Sequence, residues 1–293
     1  METRETGAER KETQSVPRIR LEFFRHDEKA KALAGQSDNE VRLSEKGRIN
    51  AVEIGKTKDP HPEVAIALGS PRERSTETAM REMLSKEPGI TQEDTLEDIQ
   101  EFVAGSLKVG RKNMVDKRLD FDWHGEFGEI AEDRYLNKKD YLQFAVEESD
   151  EVVKRLKDRT STSYTRQAAG IAEIIKKYVG VLPNFQQVVE QDPDKYTLYD
   201  NEMQRFLGTH ADVSECFLLK VIEITEGREA LMQFLQSGIN KNGFNFSEGF
   251  SVEILSDGIL VRYKEREWSI KPELLDQIIK QRDELDKSID ESD

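Results

Sequence analysis

The chain has one cysteine, Cys216, so no disulfide can form within it. It has no uninterrupted run of about 18 apolar residues, which excludes a membrane-spanning helix. Its four histidines show no zinc spacing and no His-Glu-x-x-His pair, so nothing implies a metal, and no cofactor is expected. Residues 105–110 lack the Gly-Lys-Ser/Thr ending of a nucleotide-binding Walker loop. Positive charge is in deficit: 44 Lys+Arg against 59 Asp+Glu give a net charge of −15. Such a surface repels a nucleic acid backbone, which binds basic patches. Residues 1–15 have no apolar core of the kind a secretory signal needs. Together these absences lead us to expect a cytoplasmic protein with no nucleic acid or membrane partner. Residues 1–16 are too polar to bury anything and are expected to form a disordered tail.

What remains is long enough, over residues 17–293, to bury a sizeable core in one domain with an insertion. Three stretches share one shape. Arg20-Leu21-Glu22-Phe23-Phe24 is an apolar strand that ends abruptly in Arg25-His26-Asp27-Glu28. Val64-Ala65-Ile66-Ala67-Leu68 runs through Gly69-Ser70-Pro71 into Arg72 and Arg74. Arg205-Phe206-Leu207-Gly208-Thr209 runs into His210. Open α/β sheets bind ligands at the carboxyl ends of their strands. Three such ends brought together would surround one oxyanion with two histidines and several arginines. Guanidinium forks match phosphate, and an imidazole can attack phosphorus.

In order along the chain, these motifs resemble those of the histidine phosphatase superfamily, the phosphoglycerate-mutase-like fold. Arg25-His26-Asp27-Glu28 resembles that family's Arg-His-Gly-Glu opening. Leu43-Ser44-Glu45-Lys46-Gly47 is similar to its Leu-Thr-x-x-Gly helix start. Ser70-Pro71-Arg72-Glu73-Arg74-Ser75-Thr76-Glu77-Thr78-Ala79 is similar to Ser-Pro-x-x-Arg-Ala-x-x-Thr-Ala. Thr209-His210-Ala211 resembles its late Ser-His-Gly. The resemblance covers residues 18–225 and is weakest over 85–165. It implies a metal-independent phosphomonoester hydrolase that works on a small phosphate ester through a phosphohistidine. His26 would be the nucleophile, Arg25 and Arg74 the phosphate grip, and His210 a further donor. The family also uses a carboxylic acid to protonate the leaving group. Asp120 is chosen here, because Asp116-Lys117-Arg118-Leu119 resembles the family's Asp-Pro-Arg-Leu; Asp122 and Asp212 are the alternatives. Asp27 and Ala211 depart from the family glycines, and a carboxylate beside the nucleophile would repel phosphate unless it pointed away. The mutase stretch Glu-Arg-His-Tyr-Gly is absent, which favours a phosphatase over a mutase. The competing class is a non-catalytic phosphate-binding protein on the same fold, and a homodimer is an open option.

The expected fold is a three-layer α/β/α sandwich with a mainly parallel central sheet, a helical cap insertion and a C-terminal β-hairpin plus helix. Ser44 should cap a helix with Ile49, Val52 and Ile54 inward. Further helices are expected over 74–84, 95–107, 140–156, 164–178 and 214–222. Residues 114–121 read as a strand and 122–136 as a loop or lid, so that 122–160 would cap the site. Asp257-Gly258 should turn a hairpin between 251–255 and 259–270. Pro272 should open the last helix.

Overall fold

The computed structural model describes residues 16–105, 114–239, 241 and 243–291. The strands are β1 (Arg18–Arg25), β2 (Ala65–Gly69), β3 (Met114–Val115), β4 (Glu202–Thr209), β5 (Gly249–Ile254), β6 (Ile259–Tyr263) and β7 (Arg266–Ile270). The helices are α1 (Glu45–Thr57), α2 (Glu73–Met83), α3 (Leu96–Gly105), α4 (Gly125–Asp133), α5 (Tyr141–Phe144), α6 (Asp150–Leu156), α7 (Tyr164–Gln191), α8 (Pro193–Thr197), α9 (Val213–Glu226), α10 (Arg228–Ser237) and α11 (Pro272–Asp290). They build a seven-stranded sheet in the order β3-β2-β4-β1-β5-β6-β7. The first four strands run parallel, and β5, β6 and β7 continue antiparallel beyond β1.

Side chains alternate across the sheet, and the apolar runs of β1 and β4 supply both faces. Ile19, Leu21, Phe23 and Leu207 enter one core with α7, α9 and α11. Phe24, Ala65, Ala67 and Phe206 enter a second core with α2 and α3. The antiparallel half buries alternate residues only, as Val252, Ile254, Val261 and Tyr263 show. These layers make the expected three-layer α/β sandwich.

Several local expectations are corrected. α1 is capped by the Ser44 hydroxyl, which accepts from Gly47 N. Its buried face, however, is Gly47, Ala51 and Gly55, whereas Ile49 is exposed. Small residues let this helix lie close to its neighbours. Residues 114–121 are strand only at Met114–Val115, because the Asp116 carboxylate caps a 3-10 turn over Lys117–Leu119. The expected loop over 122–136 holds a helix, α4, which runs on into a π-helical turn at Arg134–Lys138. α7 continues past Tyr178 and through Pro183, because Leu182, Phe185 and Val189 extend its buried stripe. A proline costs a helix about 3 kcal/mol, and the burial of three large side chains exceeds that. The second hairpin arm is two strands, β6 and β7, turned at Lys264, whose φ of 52° is left-handed. The expected tail over 1–16 lies, apart from the exposed Val16, outside the described residues, as do Leu107 and Gly110.

Candidate active site

Register brings the two histidines together. β1 and β4 are parallel neighbours with Arg25 opposite Thr209, so His26 and His210 follow paired residues. His26 N donates to Thr209 O at 2.7 Å, and the ring centroids lie 5.0 Å apart. β2 ends beside β4, with Gly69 opposite Gly208. A Cβ at Gly208 would collide with the Ser75 carbonyl, and one at Gly69 with Thr76. These two glycines therefore let the first turn of α2 sit against the strand ends, and that turn carries Arg74.

The His26 ring has a defined polarity. Its Nδ1 lies 2.6 Å from the Asp27 carbonyl, which can only accept, so the ring proton sits on Nδ1. Nε2 is then the lone-pair nitrogen, and it accepts from Arg74 Nε at 3.1 Å. Burial, followed by the Arg74 charge, holds the imidazole well below its usual range. It is thus neutral at pH 7, as a nucleophile must be. His210 is also held well below its usual range, by burial, then by its nearness to the titratable His26 ring and by the Arg74 charge. Its Nε2 lies 2.7 Å from Ser70 Oγ and 3.3 Å from Asp120 Oδ1, while Nδ1 is buried with no partner among the described residues.

The cations surround these rings. Arg25 Nη1 donates to the Phe244 carbonyl at 2.7 Å, its guanidinium stacks 4.6 Å from the Phe246 ring, and its Nε is buried without a partner among the described residues. Arg74 Nη1 donates to the Asp38 carbonyl at 2.7 Å, and Nη2 to the Asp38 carboxylate at 2.9 Å. The same carboxylate meets Arg72, and also Lys29 at 3.0 Å. Arg72 Nε in turn donates to Asp120 Oδ1 at 2.8 Å. Asp38 is ionised: despite partial burial, its bonds to Lys29 and Arg74 hold its carboxyl far below the usual range. The arginine cluster therefore already holds one anion, supplied by the chain itself.

Arg25, His26, Arg74 and His210 line one cavity of about 730 Å³. Residues from 121 to 136 form another part of its wall. The rest of the 122–160 segment, from Tyr141 onward, lies in the core against α7 and α11. Of the three carboxylates considered at sequence level, Asp122 is exposed and pairs with His124 at 2.8 Å. Burial pushes the Asp120 carboxyl up, and Arg72 opposes the shift. Asp212 lines the cavity at the start of α9 with a left-handed φ of 80°. Burial, then the neighbouring Glu215, pushes it well above the usual carboxylate range, and its Oδ1 has no partner among the described residues.

Asp27 points away from the cavity. Its carboxylate accepts from Asn50 Nδ2 at 2.5 Å, from Ser247 Oγ at 2.6 Å and from Glu28 N at 2.7 Å. The acidic residue beside His26 is thus a buried clamp between distant parts of the chain. Sequence reasoning missed Asp38, Phe246 and the lining role of Tyr135. Asp38 lies in a single 3-10 turn over Asp38–Glu40 and Phe246 in a loop, neither long enough to show periodicity, and only the fold shows that they face the histidines.

The fold and the site define a three-layer α/β protein with a two-histidine, arginine-rich cavity at its parallel strand ends. No protein-family model and no curated protein matches the chain. Among solved structures, it is similar to a protein described as mycobacterial hydrolase 2, with 13% identity over 91% of this chain and 98% of that one, at a TM-score of 0.46. It is also similar to mycobacterial glucosyl-3-phosphoglycerate phosphatase, with 14% identity, 80% and 90% coverage and a TM-score of 0.41. A phosphoglycerate mutase from Bacillus anthracis matches with 14% identity, 92% and 99% coverage and a TM-score of 0.39.

Proposed function

We propose that this chain is a histidine phosphatase: a hydrolase of phosphate monoesters that forms a phosphohistidine at His26. The observation that carries the reading is the neutral, Nδ1-protonated His26, whose Nε2 faces Arg74 with His210 5.0 Å away. Arg25 and Arg74 grip the phosphoryl oxygens, and fixed cations stabilise their charge throughout the in-line transfer. Ser70 Oγ can donate to His210 Nε2, which puts the ring proton on the unpartnered Nδ1 and makes it a third donor. His26 Nε2 attacks phosphorus, the ester P–O bond breaks, and a carboxylic acid protonates the departing alkoxide. Water then attacks the phosphohistidine, the carboxylate takes its proton, and inorganic phosphate leaves. No step calls for a metal.

Asp120 is our first choice for the acid, since its Oδ1 lies 3.3 Å from His210 Nε2, although its side chain is not part of the cavity wall that Asp122 and Asp212 join. A second reading assigns the role to Asp212, favoured by one observation. Asp120 is paired with Arg72, whereas the buried Asp212 has no cation bonded to it among the described residues and so keeps its proton.

The test uses purified protein in EDTA with a nitrophenyl phosphate and an alkyl phosphate. Wild type should turn over both esters and take up an acid-labile, base-stable phosphoryl label. His26→Ala should lose turnover and label together; retained labelling would reject the mechanism. Replacing the true acid by Asn should slow the alkyl ester by roughly 100-fold and the nitrophenyl ester much less. Whichever of Asp120→Asn and Asp212→Asn shows that split identifies the acid.

A further inference from the structure

We infer that the cavity selects phosphate monoesters of an aromatic or flat apolar alcohol with no second negative charge, an inference that rests on the phosphatase reading above. A volume of about 730 Å³ is in the range that holds a whole organic ligand, well beyond a phosphoryl group alone. One wall is aromatic. Phe121 lies edge-on to His210 at 5.5 Å, Trp123 follows at 4.6 Å from Phe121, and Tyr135 at 6.3 Å from Trp123. Across the histidines, the Phe246 ring lies 6.5 Å from His26. Arg72 stacks on Phe121 and Arg25 on Phe246, so a phosphate-side cation abuts an aromatic ring on each side.

The surface chemistry agrees with this geometry. Phe246 is 41% exposed and Leu136 55% exposed, and both line this cavity. Apolar surface gathered in a cleft, on a chain that is 35% charged, marks a binding surface. The cavity wall carries both signs of charge. The arginines and Lys29 line it with the histidines, and Glu129 and Glu132 of α4 line it as well. Both glutamates are exposed and lack an ion-pair partner among the described residues. An ester with a carboxylate or a second phosphate at its far end would meet their charge and be rejected.

The experiment compares kcat/KM for benzyl phosphate, propyl phosphate and 3-phosphoglycerate. The first two release alkoxides of similar basicity, so their ratio reports the ring and not the ease of departure. The third adds a negative charge at alkyl size. Benzyl phosphate should exceed propyl phosphate by roughly tenfold or more, the scale of a hydrophobic pocket contact. 3-Phosphoglycerate should be the poorest. Phe246→Ala, at a position outside the two hydrophobic cores, should bring the benzyl-to-propyl ratio toward one. Trp123→Leu should do the same. The paired change Glu129→Gln and Glu132→Gln should raise kcat/KM for 3-phosphoglycerate. A benzyl-to-propyl ratio near one, a ratio kept in both aromatic variants, or 3-phosphoglycerate matching benzyl phosphate would each overturn the inference while leaving the phosphatase standing. Hydrolysis of none of the three would bring down the phosphatase reading and this inference with it.

Discussion

At the scale of single residues, the site is governed by which carboxylates are tied and where. Asp27 and Asp38 both lie close to His26 in sequence, yet they act in opposite senses. Asp27 is spent on Asn50, Ser247 and Glu28, so it adds no contact inside the phosphate grip. Asp38 stands in the grip itself, bonded to Arg74 and Lys29 and meeting Arg72. A phosphate entering the cavity must therefore compete with a carboxylate already on its arginines. Two unit charges about 4 Å apart at a protein surface interact by about 4 kcal/mol, and only part of that is recovered because the Asp38 carboxylate stays half-exposed while Arg74 is buried. Asp38→Asn should consequently tighten inhibition by inorganic phosphate, by roughly three- to tenfold. The Asp38 backbone carbonyl still holds Arg74 in this variant, so the arginine keeps its position. Weaker phosphate inhibition in Asp38→Asn would mean that the carboxylate's service in orienting Arg74 outweighs its competition.

At the scale of elements, the strand ends were legible in the sequence because apolar runs stop where the chemistry begins. Phe24 to Arg25, Leu68 to Arg72 and Thr209 to His210 each mark the change from core to cleft within a few residues. The rest was hidden for physical reasons. The turn between β6 and β7 uses Lys264 in a left-handed conformation, where a glycine would have given it away. α1 buries glycine and alanine and leaves Ile49 exposed, because close approach and not apolar bulk is what its packing needs. That principle gives an element-scale prediction on a pair of glycines. At Gly208, an alanine would drive α2 off the strand ends and move Arg74. Gly208→Ala should lower stability by about 1–3 kcal/mol and reduce kcat/KM as well. At Gly180, within α7, an added Cβ meets nothing within 4 Å. Gly180→Ala should stabilise by up to about 1 kcal/mol through helix propensity and leave turnover alone. Chemical denaturation of the two variants checks both signs, and a harmless Gly208→Ala would show that α2 is not held by that contact.

At the scale of the whole molecule, the carboxyl ends of the parallel strands carry the histidines, and a charged cluster remote from them, between α1, α2 and the start of β4, sets a pH dependence. Glu82 and Glu202 are buried there and Glu22 is partly buried, with Arg20 and Lys58 among them. Lys58 bonds Glu82 at 2.5 Å, while the second Glu82 oxygen is buried without a partner among the described residues. Burial, only partly offset by Lys58, pushes the Glu82 carboxyl up to about 7 from an ordinary 4.5. Between those two values the folded chain keeps a proton that the unfolded chain has released. Stability then falls as pH rises. The contribution of this group is fully present below pH about 4.5 and is lost as pH rises through about 7, a change on the order of 3 kcal/mol. Glu82→Gln cannot titrate. It leaves Lys58 without its partner, which costs a roughly constant amount. The informative quantity is therefore the slope. Unfolding free energy measured from pH 5 to pH 8 should decline in wild type relative to Glu82→Gln, with the difference levelling off above pH 7. Parallel curves for the two proteins would show that Glu82 is ionised throughout this range and that Lys58 compensates its burial in full. Activity followed over the same range separates this cluster from the histidine site: His26 stays neutral across it, so turnover per folded molecule should not track the loss of stability.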